Sequence, residues 1–184
     1  MAKIYMVRHG RAEAGFGESM DPGLDALGQS QADAVATKFA ALGPLPVLSS
    51  PLRRARETAV PLAKLWNVEP VIEKAVAEIP SPWGMTLDGR VAWLRKLMAG
   101  SWRDVSRDLA EWREDCVASV TEISRDTVIF SHYVAINVIA GAAMGDHRVV
   151  VFSPDNCSVT VFESDGQTLR LIEKGEEASL TKVN

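Results

Sequence analysis

Four basic residues follow short apolar segments of the sequence at points where strands are expected to end. They are Arg8 and His9, Arg54 in the helix after the second segment, and His132 after Thr127–Phe130. Guanidinium groups bind phosphate oxygens through paired hydrogen bonds. An imidazole nitrogen can attack phosphorus and form a covalent intermediate. These residue types therefore indicate an anion site with chemistry at a phosphoryl group.

His9 is the predicted nucleophile of this site. Cationic neighbours oppose protonation of an imidazole and so keep its attacking nitrogen available. The same arginines can stabilise charge on a transferring phosphoryl group. The sequence shows no cluster of metal-ligand spacing, and we expect neither a metal nor another cofactor.

The apolar segments alternate with helical patterns, which predicts that these side chains meet. Strands are expected at Lys3–Val7, Pro46–Ser49, Val68–Ile72 and Thr127–Phe130, with amphipathic helices between them. Such alternation is typical of a parallel sheet with helices packed on it. Because the carboxyl ends of parallel strands share one edge, where ligands bind, the four basic residues should converge there.

The second helix is expected to begin at Ser50 and Pro51, where a hydroxyl cap precedes a proline. Residues 73–125 are mostly helical in pattern and contain four of the five tryptophans. We interpret this block as an insertion over the carboxyl-terminal edge of the sheet, with most of the tryptophans in the core. The expected fold is thus an α/β three-layer sandwich whose central sheet is mostly parallel and flanked by helices.

The end of the chain is predicted to add up to three further strands. Their patterns cover Val149–Phe152, Ser158–Phe162 and Thr168–Ile172, and a turn at residues 163–166 makes the last two a hairpin. No linker divides the 184 residues, so a single domain is expected.

Composition excludes several classes of function. The formal net charge of −4 gives no basic excess, which argues against a nucleic-acid partner. No stretch reaches the roughly 18 consecutive apolar residues of a membrane span, and the beginning of the sequence lacks a signal-peptide pattern. The two cysteines, Cys116 and Cys157, form no disulfide framework. These features predict a cytoplasmic protein, and they leave its oligomeric state open.

Several motifs, in order along nearly the whole chain, resemble the histidine phosphatase superfamily, whose fold is that of phosphoglycerate mutase. The motifs read VRHG after the first strand, SSPLRRARETA after the second and FSHYVAIN after a late strand, supported by LDALGQSQA and DNCSVTVF. The resemblance implies a phosphatase acting on small phosphorylated substrates through a phosphohistidine.

The resemblance also implies roles for individual residues. His9 becomes the phosphorylated nucleophile, and Arg8, Arg54 and His132 become the phosphate pocket. Arg54 is preferred to its neighbour because it directly precedes the alanine of the motif. In the stretch AVAEIPSPWG the resemblance indicates Glu78 as the proton donor, with Glu73 and Asp88 as competing carboxylates. A carboxylic acid there could protonate the leaving oxygen and then activate water.

Two departures from the family pattern bear on the substrate. Arg11-Ala12-Glu13 follows the nucleophile motif where the family often has Glu-Thr and a later asparagine, and Tyr133 stands where glycine is usual. The substrate is therefore not assigned, although Trp83, Met85 and Tyr133 are candidates for selecting it.

Other functions remain as alternatives to a phosphomonoesterase. A phosphohistidine-protein phosphatase resembles the sequence around RHGRAEAG, but such proteins commonly lack the large insertion and the acid. A mutase is disfavoured because the chain is short for one. A phosphate-binding regulatory module without turnover would have a phosphorylated His9 that is not hydrolysed. A dinucleotide-binding oxidoreductase is set aside because no G-x-G-x-x-G follows the first strand.

Overall fold

A computed structural model of the protein describes residues 1–15 and 17–179. It contains a six-stranded sheet of order β3-β2-β4-β1-β5-β6. The strands are β1 (Ala2–Arg8), β2 (Val47–Ser49), β3 (Val71–Ile72), β4 (Thr127–Ser131), β5 (Val159–Ser164) and β6 (Leu169–Glu173). Strands β1 to β4 are parallel to one another, whereas β5 pairs antiparallel with β1 and β6 pairs antiparallel with β5. The predicted mostly parallel sheet is confirmed.

Five α-helices accompany the sheet in the described part of the chain. They are α1 (Ala26–Phe39), α2 (Arg53–Trp66), α3 (Leu87–Met98), α4 (Arg107–Thr121) and α5 (Tyr133–Met144). None of them is long and apolar enough to cross a membrane.

Alternating side chains of the central strands enter two separate cores. In β1, Ile4 and Met6 belong to a cluster that includes residues of α4 and α5, while Val7 belongs to a cluster with α1 and α2. In β4, Ile129 joins the first cluster and its neighbours join the second. Because successive side chains of a strand point to opposite faces, helices cover both faces, and the α/β fold predicted from the sequence is confirmed.

The apolar stretch Val149–Phe152 is not a strand, so this part of the prediction is wrong. Val149 and Phe152 are buried as a strand pattern would require. However, the buried side chain of Asn137 accepts hydrogen bonds from the backbone N–H groups of Val151 and Phe152, at 2.8 and 3.1 Å. An asparagine side chain on α5 thus replaces the strand partner that these N–H groups would otherwise need.

The hairpin expected at the end of the chain is present as β5 and β6. Helix α2 begins at Arg53 with Leu52 as its N-cap, not at Ser50. The Ser50 hydroxyl accepts a hydrogen bond from the Leu52 N–H and contacts His132 instead.

Residues 73–125 contain α3 and α4, and these two helices differ in how they pack against the rest of the protein. Helix α4 packs against α5, and its residues Leu109, Cys116 and Val120 are buried. Helix α3 has Arg90 as its one buried residue and borders a large cavity.

Candidate active site

The carboxyl ends of β1, β2 and β4 lie at the same level of the sheet. Arg8 pairs with Ser131, and Ser49 pairs with Phe130. The chain beyond each strand is tied to the neighbouring strand: the His9 N–H donates to the Ser131 carbonyl at 3.0 Å, and the Ser50 N–H donates to the Phe130 carbonyl at 2.9 Å. This register brings His9, Ser50 and His132 together at one edge, as expected for parallel strands.

Hydrogen bonds around His9 fix which ring nitrogen carries its proton. Nδ1 lies 2.7 Å from the carbonyl oxygen of Gly10, which can only accept, so Nδ1 is the donor. Nε2 accepts a hydrogen bond from Nε of Arg54 at 3.2 Å. Burial, followed by the charges of Arg54 and Arg8, holds the pKa of His9 well below its ordinary value. His9 is therefore neutral, with a lone pair on Nε2.

Two hydrogen bonds and one close backbone contact fix the backbone beside the His9 ring. The Asn156 side chain donates to the His9 carbonyl at 2.9 Å, and the Gly10 N–H donates to the Thr58 hydroxyl at 3.0 Å. A Cβ atom at Gly10 would lie 2.6 Å from the carbonyl oxygen of Gly28, closer than any side chain allows. The glycine after the histidine is thus required by this close approach.

His132 is the N-cap of α5 and is fully buried beside His9, with ring centroids 5.2 Å apart. Its Nε2 lies 2.7 Å from the Ser50 hydroxyl. Because that hydroxyl already accepts from the Leu52 N–H, its own proton can go to Nε2, which leaves the ring proton of His132 on Nδ1. Nδ1 has no hydrogen-bond partner among the described residues. Burial is the main cause that holds the pKa of His132 well below its ordinary value, and the charges of Arg54 and Arg8 lower it further.

Two buried arginines from different elements act on His9, Arg54 through a hydrogen bond and Arg8 through its charge. Arg54 is in the first turn of α2. Arg8 donates from Nη1 to the Pro154 carbonyl at 2.8 Å, and its guanidinium carbon is 5.1 Å from the centre of the Tyr133 ring. Burial lowers the pKa of both arginines. Arg53, in contrast, is exposed and pairs with Glu57 and Glu13 at 2.7 and 3.5 Å.

Glu78 is half-buried and borders the same cavity as Arg8, His9 and Arg54. Its Oε1 accepts hydrogen bonds from the N–H groups of Ile79 and Val134, at 3.0 and 3.2 Å. Burial raises the pKa of Glu78, although these bonds and the arginine charges oppose the rise. Of the competing carboxylates, Glu73 accepts from the Ala75 N–H at 2.9 Å and Asp88 is exposed on α3.

We call Arg8, His9, Arg54, Glu78 and His132 the strand-tip group. All of its members except the fully buried His132 line a cavity of about 900 Å³. Another side of the cavity, which we call the helix wall, consists of residues 80–98. Of the three candidates for selecting a substrate, Met85 and Tyr133 line the cavity, whereas Trp83 is fully exposed, unlike the buried Trp102.

Four further residues contribute to this site, of which the sequence reasoning missed Thr58 and Arg90. Ser50 holds His132, Thr58 and Asn156 hold the backbone around His9, and Arg90 lines the cavity from α3. The polar character of Ser50 at a strand end is a usable signal. The pattern of α3 does not distinguish Arg90 from the exposed basic residues on the same helix. Among residues 1–15 and 17–179, no three His, Cys, Asp or Glu side chains are grouped as metal ligands.

Residues 4–176 match the family model described as histidine phosphatase superfamily (branch 1). One curated relative, the probable phosphoglycerate mutase GpmB of Escherichia fergusonii, is 26% identical over 163 residues, which cover 79% of this chain and 76% of the relative. Another, the PE-PGRS family protein PE_PGRS11 of Mycobacterium tuberculosis, is 37% identical over 107 residues. That match covers 49% of this chain and only 18% of the much longer mycobacterial protein.

Two solved structures have the same fold over almost their whole length. Phosphoserine phosphatase from Entamoeba histolytica, in complex with 3-phosphoglyceric acid, has a TM-score of 0.74 at 22% identity, covering 96% of this chain and 98% of its own. A mycobacterial glucosyl-3-phosphoglycerate phosphatase in complex with VO3 has a TM-score of 0.73 at 23% identity, covering 97% and 100%.

Proposed function

This chain belongs to the histidine phosphatase superfamily, and we propose that it hydrolyses phosphomonoesters without a metal ion, through a phosphohistidine on His9. The observation that carries the proposal is the protonation state of His9. Its proton is held on Nδ1 by the Gly10 carbonyl, so Nε2 has the lone pair that nucleophilic attack requires.

In the first step, Nε2 of His9 attacks the phosphorus atom while the bond from phosphorus to the ester oxygen breaks. Arg8 and Arg54 stabilise the charge on the phosphoryl oxygens. His132 donates from Nδ1, its ring nitrogen without another partner among the described residues, to one of these oxygens. The Arg54 Nε–H, which contacts Nε2 of the empty site, turns to the phosphoryl group once Nε2 is bonded to phosphorus.

Glu78 supplies the proton that the leaving oxygen needs. Burial raises the pKa of Glu78 and so favours the protonated acid, and Glu78 borders the same cavity as Arg8 and His9, which suits general acid catalysis. In the second step the Glu78 carboxylate takes a proton from water as the water oxygen bonds to phosphorus and the Nε2–phosphorus bond breaks. The products are the alcohol and inorganic phosphate, and both His9 and Glu78 return to their starting states.

The substrate class we propose is a small phosphorylated metabolite. Proteins of the same fold carry names that refer to phosphoserine and to glucosyl-3-phosphoglycerate. A cavity of about 900 Å³ has room for a metabolite larger than the phosphoryl group alone.

The test is hydrolysis of p-nitrophenyl phosphate in excess EDTA between pH 5 and 7.5. We expect activity in the wild type and a loss of at least about 1,000-fold in His9→Ala, because the nucleophile is removed. His147→Ala is the matched control, since His147 is an exposed histidine, and it should retain wild-type activity.

Three results would contradict the proposal in different ways. Activity that disappears with EDTA contradicts a metal-independent reaction. Substantial activity in His9→Ala contradicts the role of His9. Phosphorylation of His9 without release of inorganic phosphate would identify a phosphate-binding module without turnover.

A further inference from the structure

Tyr133 is the first residue of α5 and borders the cavity directly after the buried His132. Its aromatic ring lies over the guanidinium of Arg8, whose central carbon is 5.1 Å from the centre of the ring. Arg8 is only 9% exposed. Because a cation is attracted to the face of an aromatic ring most strongly where water is excluded, the Tyr133 ring is a substantial partner for Arg8.

The hydrogen bonds of Arg8 do not by themselves fix its guanidinium. Nη1 donates to the Pro154 carbonyl at 2.8 Å, whereas the buried Nε has no hydrogen-bond partner within residues 1–15 and 17–179. A guanidinium has five N–H donors in one plane, and a single bond from Nη1 leaves that plane free to tilt. The Tyr133 ring supplies a second constraint, because contact with an aromatic face restricts how the plane can turn.

Tyr133 is itself held at both ends. Its hydroxyl lies 3.1 Å from the Ser153 hydroxyl, and its backbone carbonyl accepts a hydrogen bond from the Asn137 side chain at 3.0 Å. The same asparagine accepts from the backbone N–H groups of residues 151–152. Asn137 thus ties the start of α5 to the segment that leads to Pro154, so the Tyr133 ring and the Pro154 carbonyl belong to one hydrogen-bonded unit.

We infer that Tyr133 is a positioning residue, whose ring orients the Arg8 guanidinium for binding the phosphoryl group. The inference rests on the proposed function in that it takes Arg8 as a ligand of the phosphoryl oxygens. Arginine binds phosphate through two parallel hydrogen bonds, which require a set orientation of the guanidinium plane. Removing the ring should therefore weaken phosphate binding even though Arg8 is still present.

Calorimetric titration with inorganic phosphate at pH 7 tests the inference without requiring turnover. Tyr133→Leu removes the ring but keeps an apolar side chain that suits a helix, and the Kd for phosphate should rise about 5- to 30-fold. Tyr133→Phe keeps the ring and loses only the hydroxyl, so its Kd should rise less than about threefold. Ser153→Ala removes the partner of that hydroxyl and should resemble Tyr133→Phe.

A double-mutant cycle then shows whether Tyr133 acts through Arg8. Arg8→Gln removes the guanidinium that the ring orients, so adding Tyr133→Leu to this variant should change the Kd for phosphate less than about twofold. Phosphorus NMR replaces calorimetry where binding is weak. A purely structural role of Tyr133 would reduce the folded fraction, which lowers the stoichiometry of the titration and leaves the Kd unchanged.

The outcomes for Tyr133 and for the proposed function are separate. An unchanged Kd in Tyr133→Leu, equal losses in Tyr133→Leu and Tyr133→Phe, or an effect of Tyr133→Leu that persists in Arg8→Gln would each overturn the inference. A wild type that binds no phosphate would overturn both the inference and the proposed function. A wild type that binds phosphate, with the expected differences among the variants, but hydrolyses no phosphomonoester would contradict the proposed function and support the role of Tyr133.

Discussion

The helix wall and the strand-tip group, apart from His132, border the same cavity but are built differently. In the strand-tip group every side chain has a hydrogen-bond partner, such as Gly10 for His9 and Ser50 for His132. In the helix wall Val91 is 39% exposed, and the contacts of Arg90 include the side chains of Ser81 and Met20. We therefore propose that the strand-tip group carries the reaction described above, whereas residues 80–98 contribute to the choice of substrate.

If the strand-tip group carries the chemistry, then removing its acid should have a large effect that depends on the leaving group. In Glu78→Gln we expect kcat for alkyl phosphates to fall by about 100- to 10,000-fold, because the leaving alkoxide is no longer protonated. Transfer from p-nitrophenyl phosphate to the enzyme should fall far less, since nitrophenolate leaves without a proton. Steady-state and single-turnover rates on both substrates measure this.

Glu73→Gln is the control for Glu78→Gln. Glu73 accepts a hydrogen bond from the Ala75 N–H, and the amide oxygen of glutamine can still accept it. Equal losses in the two variants, or equal losses on both substrates in the single-turnover rate of phosphoryl transfer, would contradict the assignment of Glu78 as the acid.

Neighbouring arginines on α2 offer a sharper comparison between the site and the surface. Arg54→Lys keeps the charge but loses the planar fork and the Nε–H that contacts His9, so kcat/KM should fall about 10- to 100-fold. Arg53→Lys affects an exposed residue paired with glutamates and should change kcat/KM less than about twofold. Similar losses of kcat/KM in both variants would show that the position of Arg54 beside His9 does not contribute to activity.

Acid should lower the free energy of unfolding of the protein through the buried histidines of the strand-tip group. This effect should be smaller than the losses of activity predicted above. The pKa values of His9 and His132 are lowered in the folded protein, so the unfolded chain binds more protons once the pH falls below about 6.5. The free energy of unfolding should then drop by up to about 1.4 kcal/mol per pH unit for each histidine. Denaturant titrations at pH 7.5, 6.5 and 5.5 measure the slope.

His9→Asn should have a shallower slope than the wild type, and His147→Asn, at an exposed position, should not. Glu78 acts with the opposite sign, because a carboxyl whose pKa is raised loses stability as the pH rises through that pKa. The effect of Glu78 is common to the wild type and both variants. The difference between their slopes therefore reports the contribution of His9. Identical slopes for His9→Asn and the wild type would contradict a buried neutral His9.

The sequence was sufficient to predict much of the strand-tip group, and the reason is geometric. Parallel strands end at one edge, so Arg8, His9 and His132 could be placed together from three apolar segments. Arg90 could not be found this way, because a helical pattern does not tell which basic residue turns toward a cavity. The prediction of a strand at Val149–Phe152 was wrong for a related reason. The side chain of Asn137 bonds the backbone N–H groups that a neighbouring strand would bond, and the periodicity of the sequence does not show this contact.

The formation of a phosphohistidine on His9 is the central claim, and trapping it in Glu78→Gln tests it most directly. With p-nitrophenyl phosphate, this variant should transfer the phosphoryl group rapidly but lack the base that activates water. We predict a burst of about one equivalent of nitrophenolate and an alkali-stable, acid-labile phosphate that mass spectrometry locates on His9. Steady release of nitrophenolate with no phosphoenzyme, or a phosphate on another residue, would contradict the account.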